Sequence, residues 1–484
     1  MAELTPKHVF DYFGQINRVP RPSKHEEQMI AYLEQFAKDH SLAFRTDAAG
    51  NVLISKPATA GYEGRPGVVL QAHMDMVCEK VSTLDFDFNT QPIETYVDGD
   101  WMRAKGTTLG ADDGIGIAMA LAALTDDTLQ HGPLEALFTR DEETGLSGAE
   151  AIEPGFMQGK YLINLDSEDE GEIFVGCAGG AGTTIRFAYD REAIPEGYVV
   201  LKLSVDGLTG GHSGDDINKM RANANKVLAR FLHQTWQTLD ARLLDLRGGN
   251  LHNAIPRDAS AVIAVPAAAK EQVRVAYNVF AAEVADEFHV QEPNAKFVLE
   301  SDEPTEAAPR MAINSQVARN VIWALQAVHN GVLEMSQDIA GLVETSSNLA
   351  SVRTEDGEIV IVTSQRSSTP SSLRNMCQTI AATFELAGAT TEIGDGYPGW
   401  KPNMQSQLLK ISVETYRQLF GKEPVVRAIH AGLECGLFSE KYPDLDMVSV
   451  GPTLRGVHSP DERLLIPTVQ MVWDHLVAIL KHIC

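Results

Sequence analysis

Residues 68–75 read Val68-Val69-Leu70-Gln71-Ala72-His73-Met74-Asp75. The run opens after Pro66-Gly67 and has the length and β-branched content of a buried strand. It ends on a histidine and an aspartate two residues apart, which at the strand period of two lie on the same side of the chain. The design recurs. Residues 134–139 make a second apolar run, followed by Arg140-Asp141-Glu142-Glu143-Thr144-Gly145, and residues 161–165 make a third that closes on Asn164-Leu165-Asp166.

Between the first two runs, Leu109-Gly110-Ala111-Asp112-Asp113-Gly114 leads into an apolar helix expected over 115–124. A further strand is expected at 51–55, and Ser23-Lys24-His25-Glu26 reads as a capping box opening a helix that runs to about residue 40. Strands alternating with helices predict an α/β layer with a largely parallel sheet. In such sheets ligands bind at the carboxyl edge, where these polar residues fall.

The rhythm changes near Cys177-Ala178-Gly179-Gly180. The pattern then predicts a strand at 199–205, a helix at 223–239, strands at 243–251 and 258–265, a helix at 268–288 and a strand at 296–299. That is β-α-β-β-α-β, the ferredoxin-like order. A polar stretch, 301–306, separates it from a similar set: a helix at 313–329, strands at 343–352 and 358–363, a helix at 371–386 and a strand at 390–393. After Gly394-Asp395-Gly396-Tyr397-Pro398-Gly399-Trp400 the α/β pattern returns, with a helix at 405–420, a strand near 425, a helix at 434–442, a strand at 447–450 and a helix from 466. This last part is too short for a domain of its own and is expected to complete the first. The expected fold class is therefore α/β: a split hydrolase-type domain with a mixed sheet over 1–182 and 398–484, and an inserted α+β lid over 183–397 made of two ferredoxin-like halves.

The 484 residues carry 40 Lys+Arg against 66 Asp+Glu, a net charge of −26, which excludes nucleic-acid backbones and anionic membrane surfaces as main partners. The longest apolar stretches, such as 115–124, fall short of the ~18–20 residues of a membrane span. Five scattered cysteines without a Cys-x-x-Cys spacing argue against a disulfide scaffold or a thiolate zinc site. The start, Met1 to Phe13, lacks the pattern of a secretory signal. A soluble cytoplasmic protein is expected.

Taken singly, each polar motif has an ordinary reading. His73 and Asp75 would make an unremarkable surface pair, and the 109–116 loop an acidic helix cap, or a phosphate cradle that lacks its lysine. Adjacent acids such as those at 141–143 are usually solvated, a single Asp166 is unexceptional, and His458 in Gly456-Val457-His458-Ser459-Pro460-Asp461-Glu462 reads as a loop residue. Jointly they say more. Carboxylates ~4 Å apart repel by roughly 4 kcal/mol per pair at an effective dielectric near 20, so three or more on one sheet edge call for cations. Imidazole and carboxylate donors without thiolate suit two divalent ions, Zn²⁺ first, with Co²⁺ or Mn²⁺ as alternatives.

In this order, the motifs resemble those of the M20 family of dinuclear metallopeptidases. Longer stretches, among them Gly176 to Gly180, Asn253-Ala254-Ile255-Pro256-Arg257, Tyr397 to Trp400 and His430 to Phe438, resemble the bacterial Xaa-His (aminoacyl-histidine, carnosinase-type) dipeptidase branch of that family. The resemblance implies that His73 and Asp166 hold one metal, Glu143 and His458 the other, and Asp112 bridges both. It implies Asp75 as an orienting carboxylate behind His73, and Glu142 as general base. By itself a glycine-flanked His212 is a turn residue and Arg366 a surface ion-pair partner. By resemblance His212 stabilises the oxyanion, Arg366 binds the substrate's C-terminal carboxylate and Asn253 lines the substrate site, although His252 stands where the family pattern has arginine.

The implied activity is metal-dependent hydrolysis of Xaa-His and related dipeptides, with small peptides as partners. The alternatives are another M20-type amidohydrolase, an N-acyl-amino-acid deacylase or a tripeptidase, or a non-catalytic metal-dependent binding protein. The lid leaves homodimerisation open, and with it whether His212 serves its own subunit or a neighbour.

Overall fold

The computed structural model describes residues 4–301 and 311–483. Of the expected polar separator only Ser301 is among them, and Cys484 also lies outside. The chain divides into two compact units, one made of Met1–Cys177, Trp400–Ala428 and Leu433–Cys484, the other of Ala178–Gly399 and Ile429–Gly432.

The first unit is built on an eight-stranded sheet in the order Ala43–Thr46, Val52–Lys56, Leu134–Thr139, Val68–His73, Tyr161–Asn164, Asp446–Ser449, Glu172–Cys177, Val425–Ile429. The three central pairings, from Leu134–Thr139 to Asp446–Ser449, are parallel. Antiparallel pairings flank them on both sides, so the sheet is mixed. Every residue of Val68–His73 and Leu134–Thr139 is buried, which is why these strands read as continuous apolar runs. Helix Ala111–Thr125 packs between Val68–His73 and helix Lys7–Ile16, and everything in it from Asp113 to Leu124 is buried. A helix apolar on all sides belongs inside. The late segments complete this unit, with Asp446–Ser449 entering the sheet and helix Ile466–His482 packing on Gln407–Phe420.

Two features depart from expectation. The helix assigned to a capping box begins at Glu27 with no side-chain cap. Ser23 instead donates its hydroxyl to Asp75 Oδ2 at 2.7 Å, while Glu26 accepts the Lys24 N–H and the Arg140 guanidinium. The second is a four-stranded antiparallel sheet, Leu454–Arg455, Arg463–Leu465, Trp101–Ala104 and Thr95–Asp98. Its strands of two to four residues are too short to show a period. It turns the segment 456–462 into the loop of a hairpin.

The second unit carries a nine-stranded sheet whose main path runs Lys296–Ser301, Tyr198–Asp206, Ala259–Pro266, Arg242–Gly248, Val343–Thr354, Glu358–Ser367, Gly179–Ala188, Thr390–Ile393. Each half has the ferredoxin-like strand order, and the halves meet antiparallel where Arg242–Gly248 joins Val343–Thr354. The leading strand of the second half is Gly179–Ala188, which the sequence pattern did not reveal. The first half is thus nested in the connection between that strand and helix Ser315–Ala327. Helices Ala224–Thr235, Lys270–Glu287, Ser315–Ala327 and Pro370–Glu385 share one core with the strands, centred on Phe231, Tyr277, Phe280 and Phe384.

Candidate active site

In the first unit three of the four central parallel strands each deliver a polar group to one edge of the sheet. His73 is the last residue of Val68–His73, Glu142 and Glu143 open the short helix Glu142–Gly145 after Leu134–Thr139, and Asp166 follows Tyr161–Asn164. Asp112 comes from the first turn of Ala111–Thr125, and His458 from the hairpin loop.

Asp112 stands at the centre of the group. Its Oδ1 lies 2.9 Å from His73 Nε2 and its Oδ2 lies 3.1 Å from His458 Nε2. His73 Nε2 is also 3.5 Å from Asp166 Oδ1, and His458 Nε2 is 2.9 Å from Glu143 Oε2. Two donor sets therefore share one carboxylate: His73, Asp112 and Asp166 on one side, Asp112, Glu143 and His458 on the other. Glu142 groups with His73 and Glu143.

Asp75 joins two parts of this edge. Its Oδ1 is 3.3 Å from His73 Nδ1. The same carboxylate accepts the backbone N–H of Glu142 at 3.0 Å and of Glu143 at 3.2 Å. One anion thereby lies beside an imidazole and holds the start of the turn that carries both glutamates. Asp141, the third acid of the run, points elsewhere: it accepts the hydroxyls of Thr144 and Ser147 and groups with Glu26 and Asp75.

The charges answer to burial first. Burial pushes Asp166 up to about 7 against the pull of His73, and pushes Glu142 well above the ordinary carboxylate range, reinforced by Asp166, Glu434 and Glu143. Asp112 goes the other way, because hydrogen bonds from His458 and His73 overcome its burial. His458 rises to about 11 through its bonds to Asp112 and Glu143. Four carboxylates held around two imidazoles, with Glu143 Oε1 buried and unpartnered, form a donor set that fits two divalent cations. The donors are nitrogen and oxygen only.

The sequence pattern missed several groups around this edge. Glu434 is 2% exposed, and its Oε2 accepts Gln71 Nε2 at 2.6 Å and Thr139 Oγ1 at 2.8 Å. Burial lifts its carboxyl to about 8. Arg21, Ser23 and Glu462 also reach the ligand-bearing loops from distant parts of the chain. The one signal available was an acid or arginine beside an otherwise apolar or glycine-rich turn.

In the second unit His212 sits in a two-stranded ribbon, Gly211–His212 against Ala254–Ile255, which places Asn253 next to it. The Asp215 N–H donates to His212 Nδ1 at 3.2 Å, which leaves the proton of a neutral ring on Nε2. Asn253 is exposed. Arg366, in strand Glu358–Ser367, is 6% exposed, with Nη1 donating to Tyr397 Oη at 2.8 Å and Nε buried without a partner. His430 connects these groups: Nε2 is 2.7 Å from Ser346 Oγ, Nδ1 is unpartnered, and burial followed by the Arg366 charge lowers it to about 4.

An α/β unit that gathers histidines and carboxylates along one edge of a mixed sheet, interrupted by an α+β insert, defines a metallopeptidase architecture. The chain belongs to Peptidase family M20/M25/M40, whose pattern it matches over residues 69–482. It is 44% identical over 483 residues to the cytosol non-specific dipeptidase of Escherichia coli (strain K12), covering 100% of this chain and 99% of that one. The crystal structure of an aminoacylhistidine dipeptidase from Vibrio alginolyticus superposes with a TM-score of 0.91 at 43% identity, over 99% of this chain and 97% of that one. Aminopeptidase PepT from Bacillus cereus shares the fold, with a TM-score of 0.58 at 15% identity over 99% of both chains.

Proposed function

We propose that this chain hydrolyses dipeptides, Xaa-His dipeptides among them, with the Asp112-centred cluster as its catalytic centre. The observation that carries this reading is the division of one carboxylate between two histidines, each with a further acid at hand. His73 and Asp166 would hold one divalent cation, Glu143 and His458 a second, and Asp112 both, with Zn²⁺ the first choice and Co²⁺ or Mn²⁺ able to replace it. When bound, such ions polarise a carbonyl and lower the pKa of water to about 7.

The chain's own groups do the rest. Glu142, drawn toward its protonated form by burial and neighbouring anions, takes the proton shed by the attacking water and returns it to the departing amine. Asp75 keeps His73 and the backbone of Glu142 in register, the part played by carboxylates behind metal-bound histidines. The second unit acts as the lid. His212 offers Nε2–H to the developing oxyanion, Arg366 receives the substrate's free carboxylate, for which its unpartnered Nε is a ready donor, and Asn253 lines the substrate site.

The Escherichia coli relative is called non-specific and the Vibrio protein an aminoacylhistidine dipeptidase, and a broad dipeptide range that includes β-Ala-His accommodates both names. The name of the former also supports a cytosolic site of action. The test is hydrolysis of β-Ala-His, a panel of Xaa-His and other dipeptides, and N-acetyl amino acids, before and after chelation and readdition of each metal. Turnover confined to N-acetyl amino acids, or unaffected by chelation, would refute the proposal.

A further inference from the structure

The hairpin loop 456–462 brings more to this edge than His458. Its last residue, Glu462, is 2% exposed, and its carboxylate accepts four consecutive backbone N–H groups. Leu109 and Gly110 donate to Oε2 at 2.7 and 3.0 Å, Ala111 and Asp112 to Oε1 at 2.8 and 3.3 Å. These amides lie in the turn that precedes the regular part of helix Ala111–Thr125, since Asp112 and Asp113 are not helical, and they curve around Gly110, whose φ is +66°. Successive N–H groups turned inward make a nest for an anion. Here the anion is supplied by the chain itself.

Arg21, 1% exposed, closes the other side of the turn. Nη1 donates to the carbonyls of Met74 at 3.1 Å and Asp75 at 2.6 Å, and Nη2 to that of Gly110 at 2.5 Å. A Cβ at Gly110 would approach Arg21 Nη2 to 2.6 Å, so glycine is required there for space as well as for φ. Three ligand-bearing segments, ending in His73, Asp112 and His458, are thus tied together by one buried anion and one buried cation.

We propose that Glu462 is a positioning residue for the cation site: it fills the backbone nest beneath Asp112 with a carboxylate and so fixes the Asp112 turn against the His458 loop. This rests on Asp112 and His458 being cation ligands. Without Glu462, the four backbone N–H groups would attract the nearest free carboxylate, that of Asp112 itself, and compete with the cations for it. Glutamine is a poor substitute, because its carboxamide presents one oxygen and a donating NH₂ to four donors.

Replacing Glu462 by alanine removes –CH₂–COO⁻, the equivalent of one acetate ion. The experiment compares the parent, Glu462→Ala and Glu462→Gln by Co²⁺ calorimetry, the visible spectrum of the Co²⁺-loaded protein, and kcat and KM on a dipeptide, with and without acetate. Co²⁺ affinity and kcat should fall about 10–100-fold in both variants, the range seen for groups that orient metal ligands, with KM little changed. Acetate should restore the spectrum and kcat of Glu462→Ala saturably, chloride should not, and Glu462→Gln should not respond. Parent-like Co²⁺ affinity and spectrum in both variants would overturn the proposal, as would a loss in Glu462→Ala that acetate leaves untouched while Glu462→Gln behaves as the parent. Should Glu462→Ala fail to fold, Glu462→Gln decides: weakened Co²⁺ binding at a parent-like Tm supports the role, and unchanged binding refutes it. A parent protein that binds no Co²⁺ would instead remove the cation site, and this inference with it.

Discussion

In the first unit burial pushes carboxyls up, Asp166 to about 7 and Glu434 to about 8, whereas in the second it pushes an imidazole down, His430 to about 4. The first collects acids around two histidines. The second collects an arginine and histidines and leaves two nitrogens, Arg366 Nε and His430 Nδ1, buried without hydrogen-bond partners. Each environment is expensive to maintain with protein groups alone, since a buried polar atom left unpaired costs about 1–3 kcal/mol. The comparison teaches that the two units offer opposite environments, acids around two histidines in the first and buried nitrogens beside an arginine in the second, which is what the proposed cation and carboxylate sites would need.

The largest break in this comparison should come from Glu142→Ala. The variant should keep its metals, by elemental analysis, and lose about 10²–10⁴-fold in kcat, the usual share of a general acid–base. Near-parental turnover in a fully metallated protein would remove Glu142 from its role. Next in size, Asp112→Ala deletes the carboxylate common to both donor sets. Its metal content should fall below that of His458→Ala, and equal stoichiometry in the two variants would contradict a shared ligand.

Arg366→Ala probes the other unit. The loss of hydrogen bonds to a charged group, about 1.5–3 kcal/mol, should lower kcat/KM on free dipeptides by about 10–100-fold. C-terminally amidated substrates should suffer much less, and equal losses on both would rule out the carboxylate contact.

The smallest effect is on stability, and both units should show it. His475, whose Nε2 is 2.8 Å from the Ser412 carbonyl oxygen, and His430 are each lowered by burial to about 4. Below pH 6.5 the unfolded chain takes up protons that these folded residues refuse. Their contribution is therefore complete above that pH, declines as pH falls, and is exhausted near pH 4. By pH 5.5 the decline should reach about 1 kcal/mol per histidine. Urea unfolding at pH 7.5 and 5.5 should show a shallower pH dependence for His475→Gln and His430→Gln than for the parent, and an unchanged slope would discount them.

The elements around the site were largely legible in the sequence, because strands buried on both faces, such as Val68–His73, read as short apolar runs whose polar ends stand out. Strand Gly179–Ala188 was not, since Gly179, Gly180 and Gly182 mimic a break. Two of these glycines answer to crowding: a Cβ on Gly179 would meet the Gly399 backbone nitrogen at 2.5 Å, and one on Gly180 the Tyr397 hydroxyl at 2.7 Å. At the site, the order of the motifs placed two histidines and several carboxylates on one sheet edge, and the resemblance to the family singled out His73, Asp112, Glu142, Glu143, Asp166 and His458 among them. Ser23 and Glu462 did not. Their partners are Asp75, 52 residues away, and backbone amides some 350 residues away, and no local spacing records such pairings.

The nesting of one ferredoxin-like half inside the other has a consequence for how the chain emerges and folds. Strand Gly179–Ala188 pairs with Glu358–Ser367, and residues 189–357, 169 in all, must be made before its partner begins. The inner half, strands Tyr198–Asp206 to Lys296–Ser301, closes on itself within a much shorter stretch. Loop closure favours the shorter span, and domains tend to form as they are synthesised. The inner half is thus expected to fold first and serve as the surface on which Val343–Thr354 docks, while the first unit waits for Asp446–Ser449 to complete its sheet.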